Sequence, residues 1–133
     1  MRAFLLISIF LITSCSDKAQ ITYYDKSLKN RKLKCSSFSP NREGELESFL
    51  KTLYKFDNNC PYKLTISYKS KIVCNSSFNA YRKTTTNFPS AYLNLEIKKG
   101  FNLEYSYYID LTSKPTKRDI KRAFNRIKDD ILD

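Results

Sequence analysis

Apolar and polar residues alternate most regularly toward the C-terminal side of the chain. Leu93, Leu95 and Ile97 interleave with Asn94, Glu96 and Lys98, and Phe101, Leu103, Tyr105, Tyr107, Ile109 and Leu111 interleave with Asn102, Glu104, Ser106 and Asp110. A period of two predicts strands with one buried face. Joined as a hairpin, the two strands must bring both apolar sets to the same side. A two-residue turn at Lys99-Gly100 would separate them. A three-residue turn, Lys98-Lys99-Gly100, pairs Ile97 with Phe101, Leu95 with Leu103 and Leu93 with Tyr105, and it puts Gly100 where a left-handed residue is needed.

Tyr62 to Cys74 alternates in the same way, with Leu64, Ile66, Tyr68, Ile72 and Cys74 on one side. Arg31 to Phe38 reads as a first strand, with Leu33 and Cys35 on one side. Ser39-Pro40-Asn41 is a helix-start signal. Leu46, Phe49, Leu50 and Leu53 follow at helical spacing and predict a helix over 41–56. Glu43, Glu45 and Glu47 near its start and Lys51 and Lys55 near its end suit the helix dipole. Thr116-Lys117-Arg118-Asp119 has the form of a capping box. Ile120, Phe124, Ile127 and Ile131 then mark one stripe of a terminal helix, 116–132. Residues 75–89 read as a polar loop with an extended stretch over 78–83. Residues 15–30 read as a polar tether, with Ile21–Tyr24 as a short strand within it.

The predicted order is β-α-β-β-β-α. It implies an α+β domain over 31–133, with two helices on one face of a four-stranded, largely antiparallel sheet. A length of 133 residues suits one domain rather than two. Ten Tyr and nine Phe favour strands, and two Gly leave little room for phosphate-cradling loops.

The N-terminus sets the compartment. Met1-Arg2 is a short positive start, and Ala3–Ile12 is an apolar run too short to span a bilayer. The run ends Ile12-Thr13-Ser14-Cys15. This resembles the lipobox of bacterial lipoproteins: an aliphatic residue (commonly Leu where Ile12 stands), two small residues and a cysteine. The resemblance implies a signal peptide over 1–14 and a diacylglycerol on the Cys15 thiol, which becomes the new N-terminus. Ser16, rather than Asp, after the cysteine points to the periplasmic face of the outer membrane. The alternative is an ordinary secreted protein cut after Ser14 or Ser16.

Cys35, Cys60 and Cys74 remain, and an exported setting permits a disulfide. If the first helix joins parallel neighbouring strands, Cys35 and Cys74 lie near one end of those strands and Cys60 at the other. Cys35–Cys74 is the favoured pairing. The alternative leaves all three as thiols. With no His and no close Cys pair, neither a metal site nor a cofactor is expected.

No catalytic constellation is present. There is no P-loop, no activated serine motif and no histidine to act as a base. The remaining signal is a net charge of +11, or +10 without Arg2. One basic run is Lys26, Lys29, Arg31, Lys32 and Lys34. The other is Lys117, Arg118, Lys121, Arg122, Arg126 and Lys128 on the terminal helix, opposite its apolar stripe. Such a face suits the phosphates of anionic lipid or lipopolysaccharide, or it is simply a solvated surface. Export argues against nucleic acid. Tyr92 and Tyr108, and Tyr62 as a third candidate, are placed on the sheet face away from the helices. There they suit a protein partner, or serve strand propensity alone.

The lipidated cysteine, the basic domain and this order of elements together resemble the lipopolysaccharide-assembly lipoprotein that plugs an outer-membrane translocon. That family commonly has Gly and an aromatic residue after its cysteine, where Ser16-Asp17 stand here. No binding residue transfers. The sequence therefore points to a non-catalytic envelope lipoprotein, held at the membrane by its lipid, that serves as an assembly or binding subunit. The alternatives are a binder of anionic lipid or lipopolysaccharide and an envelope enzyme of unassigned chemistry.

Overall fold

The computed structural model describes residues 18–72 and 89–133. The elements run β1 (Gln20–Tyr23), a 3-10 turn (Lys26–Lys29), β2 (Ser37–Phe38), α1 (Glu45–Thr52), β3 (Tyr62–Lys69), β4 (Ala91–Lys99), β5 (Asn102–Leu111) and α2 (Lys117–Ile131). The described strands form one sheet in the order β1-β5-β4-β3-β2. Its pairings are antiparallel except for β2, which runs parallel to β3. The class is α+β, as expected, but the sheet is mixed and has five described strands rather than four. The signal segment, Cys15, the loop expected over 75–89 (except Pro89), its extended stretch over 78–83, and the end of the strand expected to reach Cys74 lie outside the described residues.

The fifth strand is the short one expected near Ile21–Tyr24, but it belongs to the sheet rather than to a tether outside the domain. Ile21 and Tyr23 lie opposite Tyr107 and Tyr105 on the edge of β5. A few residues on, Leu28 is fully buried. Residues 20–30 are thus part of the folded unit. Most of this stretch is polar, but Ile21, Tyr23 and Leu28 anchor it to the core.

The strand expected over Arg31–Phe38 is shorter. Only Ser37 and Phe38 join the sheet, opposite Lys63 and Leu64. Leu33 instead makes a parallel bridge to Leu132. Its N–H donates to the Ile131 carbonyl at 2.7 Å, and its carbonyl accepts from Asp133 N–H at 2.9 Å. Helix α1 is shorter than 41–56 at both ends. The chain stays extended to its N-cap, Gly44, and at the far end the Thr52 hydroxyl donates to the Phe49 carbonyl at 2.7 Å.

The hairpin differs from its expected register in an informative way. Gly100 has φ +61°, the left-handed conformation expected. The turn, however, is Gly100-Phe101, because Lys99 faces Asn102 and Lys98 faces Leu103. Glu104 is then an extra residue, and beyond it Ile97 pairs with Tyr105, Leu95 with Tyr107 and Leu93 with Ile109. This bulge restores the common apolar face that a two-residue turn would otherwise lose. Phe101, expected in the core opposite Ile97, is fully exposed at the tip. The bulged residue also ends β1: its carbonyl accepts from Tyr24 N–H at 2.9 Å and Asp25 N–H at 3.1 Å.

One core forms between the sheet and both helices. Leu46 and Leu50 of α1 and Ile120, Ala123, Phe124, Ile127 and Ile131 of α2 join Leu64, Ile66, Leu93, Leu95, Ile97, Tyr105, Tyr107 and Ile109. Helix α2 starts with the expected capping box. Thr116 Oγ1 accepts from Asp119 N–H at 3.4 Å, and Asp119 Oδ2 accepts from Thr116 N–H at 2.8 Å.

Tyr105 is the largest fully buried side chain described. Its hydroxyl donates to Asp130 Oδ2 at 2.8 Å, and Asp130 in turn accepts from Arg126 Nε at 2.9 Å. Burial, then the hydrogen bond to Asp130 and its charge, push the Tyr105 phenol far above the ordinary tyrosine value. Burial also raises Tyr107. The unfolded chain releases these protons at about pH 10 and the folded chain does not. Stability from this source is complete below that pH and is lost as pH rises beyond it. We predict that the urea midpoint drops between pH 9 and pH 11, and that the drop is shallower in Tyr105→Phe. An equal drop in both proteins would show that Tyr105 is not the buried phenol responsible.

Candidate functional site

Cys15 and its lipobox precede the described residues. Cys35 and Cys60 are bonded to each other, with their Cα atoms 5.9 Å apart. This corrects the expected Cys35–Cys74 pairing and excludes free thiols at 35 and 60. The reason lies in the length of β2. A strand over 31–38 would have carried Cys35 toward its C-terminal end. The strand begins only at Ser37, so Cys35 precedes it. Cys60 likewise precedes β3, and because the two strands are parallel both cysteines sit at the same sheet end. Cys74 lies outside the described residues.

The six cations expected on the terminal helix divide into two groups. Lys117 Nζ lies 2.8 Å from Glu45 Oε1 and 5.8 Å from the Phe49 ring centre, tying the two helices together. The ion pair and hydrogen bond with Lys117 hold the Glu45 carboxyl below its ordinary value. Arg126 is bound to Asp130. Arg118, Lys121, Arg122 and Lys128 are exposed and have no ion pair with a described residue. The order of charge runs against the helix dipole, with Lys117 and Arg118 at the N-terminal end and Asp129 and Asp130 near the C-terminal end. Asp119 in the first turn offsets part of that cost. In the first basic run, Arg31 contacts Asp25 at 3.4 Å and the Tyr62 hydroxyl at 3.3 Å, and Lys29 lies over the Tyr23 ring.

The sheet face away from the helices brings Tyr92 and Tyr108 together. Their rings stack at 5.7 Å with planes 20° apart. Adjacent strands place them as diagonal neighbours, since Tyr92 lies opposite Asp110 and Tyr108 opposite Asn94. The Tyr108 hydroxyl donates to Asp110 Oδ1 at 2.9 Å, and burial together with that bond raises its pKa. Asn94 bridges Glu96 and Ser106 at 3.0 and 3.2 Å, and Lys98 pairs with Glu96 at 3.0 Å. The result is a half-buried, mutually bonded polar surface with two stacked rings. Tyr62 does not join them; it lies at the other end of the sheet beside Arg31 and Lys99.

Sequence reading missed one group, around Glu47. That carboxylate is buried at 2% exposure, a rare place for an acid. The available signal was its position, one residue after Leu46 and three before Leu50, at the border of the apolar stripe. Among the described residues no set of three or more His, Cys, Asp or Glu is arranged to hold a metal, and no helix is long and apolar enough to cross a membrane. Comparison with protein-family models, with curated proteins and with solved structures gave no match.

Proposed function

We propose that the chain is an acylated envelope lipoprotein, a non-catalytic assembly or binding subunit of a complex at the periplasmic face of the outer membrane. The observation that carries this reading is the Cys35–Cys60 disulfide. Such bonds persist in oxidising compartments and are rare in reducing ones. It fits the export signal that ends at the Ile12-Thr13-Ser14-Cys15 motif. With Gln20 already in the sheet, about five residue steps separate an acylated Cys15 from β1. Fully extended, they span roughly 17 Å at most. The domain is then held against the headgroups rather than on a long leash. The Tyr92–Tyr108 face is the surface proposed for the protein partner, since stacked tyrosines combine apolar area with polar rims.

Acylation is tested on the detergent-extracted protein by intact mass. The expected product begins at Cys15 and carries two or more acyl chains, the number needed for stable anchoring. Cys15→Ser is expected to abolish the added mass and to leave the chain out of the acylated membrane fraction. A processed, unacylated wild-type product overturns the reading. A stoichiometric envelope protein co-purifying with wild type, and lost in Tyr92→Ala with Tyr108→Ala, is the expected sign of the partner.

A further inference from the structure

A second site is suggested by what surrounds the buried Glu47. Arg42 Nε donates to Glu47 Oε1 at 3.3 Å, and the Tyr68 hydroxyl donates to Glu47 Oε2 at 3.3 Å. The Arg42 guanidinium carbon lies over Tyr68, 4.0 Å from the ring centre. Gly44 makes room for this arrangement, because a Cβ there would run into Glu47 Oε2. Burial of Tyr68, and then the Glu47 charge, raise its phenol pKa, so the hydroxyl stays a donor to the carboxylate. Arginine is thus fixed in position and orientation by a carboxylate behind it and a ring beneath it. Its side chain nevertheless remains 56% exposed. It gives Nε to Glu47 and also bonds to the Tyr68 hydroxyl, which leaves most of its five-donor planar fork to a ligand.

A hollow of about 400 Å³ opens beside it, lined by Arg42, Tyr68, Lys69, Ser70 and Lys114. It adjoins a second hollow that shares Tyr68 and Lys114 and reaches Glu45 and Lys117. The charges do not balance. Glu47 is matched by Arg42 and Glu45 by Lys117. Lys69 has no carboxylate partner, and Lys114 adds only a smaller pull on Glu45, which Lys117 already pairs. Two surplus cations beside a pre-oriented guanidinium suit an anion of about two charges with several acceptor oxygens. A phosphate monoester, carrying about −1.5 to −2 at neutral pH, has that charge and shape.

We propose that this cleft binds a phosphate monoester, free or carried on a lipid headgroup, with Arg42 as the bidentate contact and Lys69 and Lys114 as flanking charges. The inference does not depend on acylation of Cys15, and it places the anion site at the N-terminal ends of the two helices rather than along the exposed face of α2. Its affinity falls with added salt, because Lys69 and Lys114 are within reach of solvent counter-ions.

The full chain, extracted in neutral detergent, is titrated calorimetrically with phenyl phosphate. In parallel it is titrated with a water-soluble, short-chain phosphatidate. The expected result is saturable binding that weakens at least tenfold in Arg42→Gln and in Lys69→Gln with Lys114→Gln. Arg118→Gln with Arg122→Gln is expected to stay within twofold of wild type. Should Arg42→Gln fail to fold, the lysine pair decides, because neither lysine makes a described hydrogen bond or close ion pair and Glu45 keeps its pairing with Lys117. If the lysine pair weakens short-chain phosphatidate binding in parallel with phenyl phosphate binding, the headgroup is the source; phenyl phosphate binding alone identifies a soluble ester. Absence of saturable binding with both probes, or equal loss in the Arg118 and Arg122 variant, overturns the proposal. Either result leaves the acyl mass of the protein unchanged, so the two readings fail separately.

Discussion

Replacing Cys35 and Cys60 together with serine is expected to lower the unfolding free energy by about 3–4 kcal/mol, from the chain entropy released when a loop of this length is opened. The bond closes a sequence separation of 25 residues. That loop holds β2, α1 and the turn into β3. Within it, β2 has only two paired residues at the sheet edge, so little else fixes its place. Thermal denaturation should show a fall of roughly 10–20 °C for a domain of this size. Reducing agent should reproduce the shift in wild type and leave the double variant unchanged. If wild type unfolds at the same denaturant concentration with and without reductant, the bond does not constrain the fold as described.

Phe124→Ala is expected to cost about 3–5 kcal/mol, the usual range for deleting a buried ring. Phe124 is 1% exposed. Its ring lies 5.9 Å from Tyr54 and 6.2 Å from Phe56, and Phe56 lies 5.3 Å from Phe38. This chain of rings joins α2 to the segment after α1 and then to β2. The change should therefore loosen the same edge that the disulfide ties. Cys35 and Phe56 line one shallow hollow together, so combining Phe124→Ala with the double serine variant should give a loss that departs from the sum of the two. Urea denaturation of the three proteins measures this. A loss below about 1 kcal/mol for Phe124→Ala would be below the range for a packed core ring and would place it outside the core.

The legible parts of this fold follow from local rules. The cap of α2 needs residues three apart, and its buried stripe needs only the helical period. Both are present in Thr116, Asp119, Ile120, Phe124, Ile127 and Ile131. The buried faces of β3, β4 and β5 also follow from alternation. Register does not. The observed partner of Leu95 is Tyr107 instead of Leu103, a shift of an even number of residues that keeps Tyr105, Tyr107 and Ile109 on the buried face, while Leu103, before the bulge, lies opposite Lys98. Alternation cannot distinguish the two, and the bulge at Glu104 leaves no mark in the pattern. The short strand expected at Ile21–Tyr24 is present as Gln20–Tyr23, but its polar neighbours gave no sign that it pairs with β5 as part of the domain. The disulfide was misassigned because the pairing turns on where a two-residue strand begins.

The candidate surfaces show the same division. The six cations of α2 can be read from its sequence. Which of them are engaged cannot, because Lys117 is matched by Glu45 of the other helix and Tyr105 of the sheet shares Asp130 with Arg126. The Arg42, Glu47 and Tyr68 group is assembled from a connecting segment, a helix and a strand. Nothing in the local sequence of any one of them announces the other two.

The wiring of the sheet has a consequence for synthesis. Gln20 waits for Tyr108, and Leu33 waits for Leu132, before either finds its partner. Pairings between such distant points are slow to nucleate, because a large loop must close before any contact rewards it. In a nascent chain Gln20–Tyr23 and Leu33 therefore stay unpaired until Tyr108 and Leu132 have been made. A segment still without its partner is in a form that can be threaded through a narrow channel.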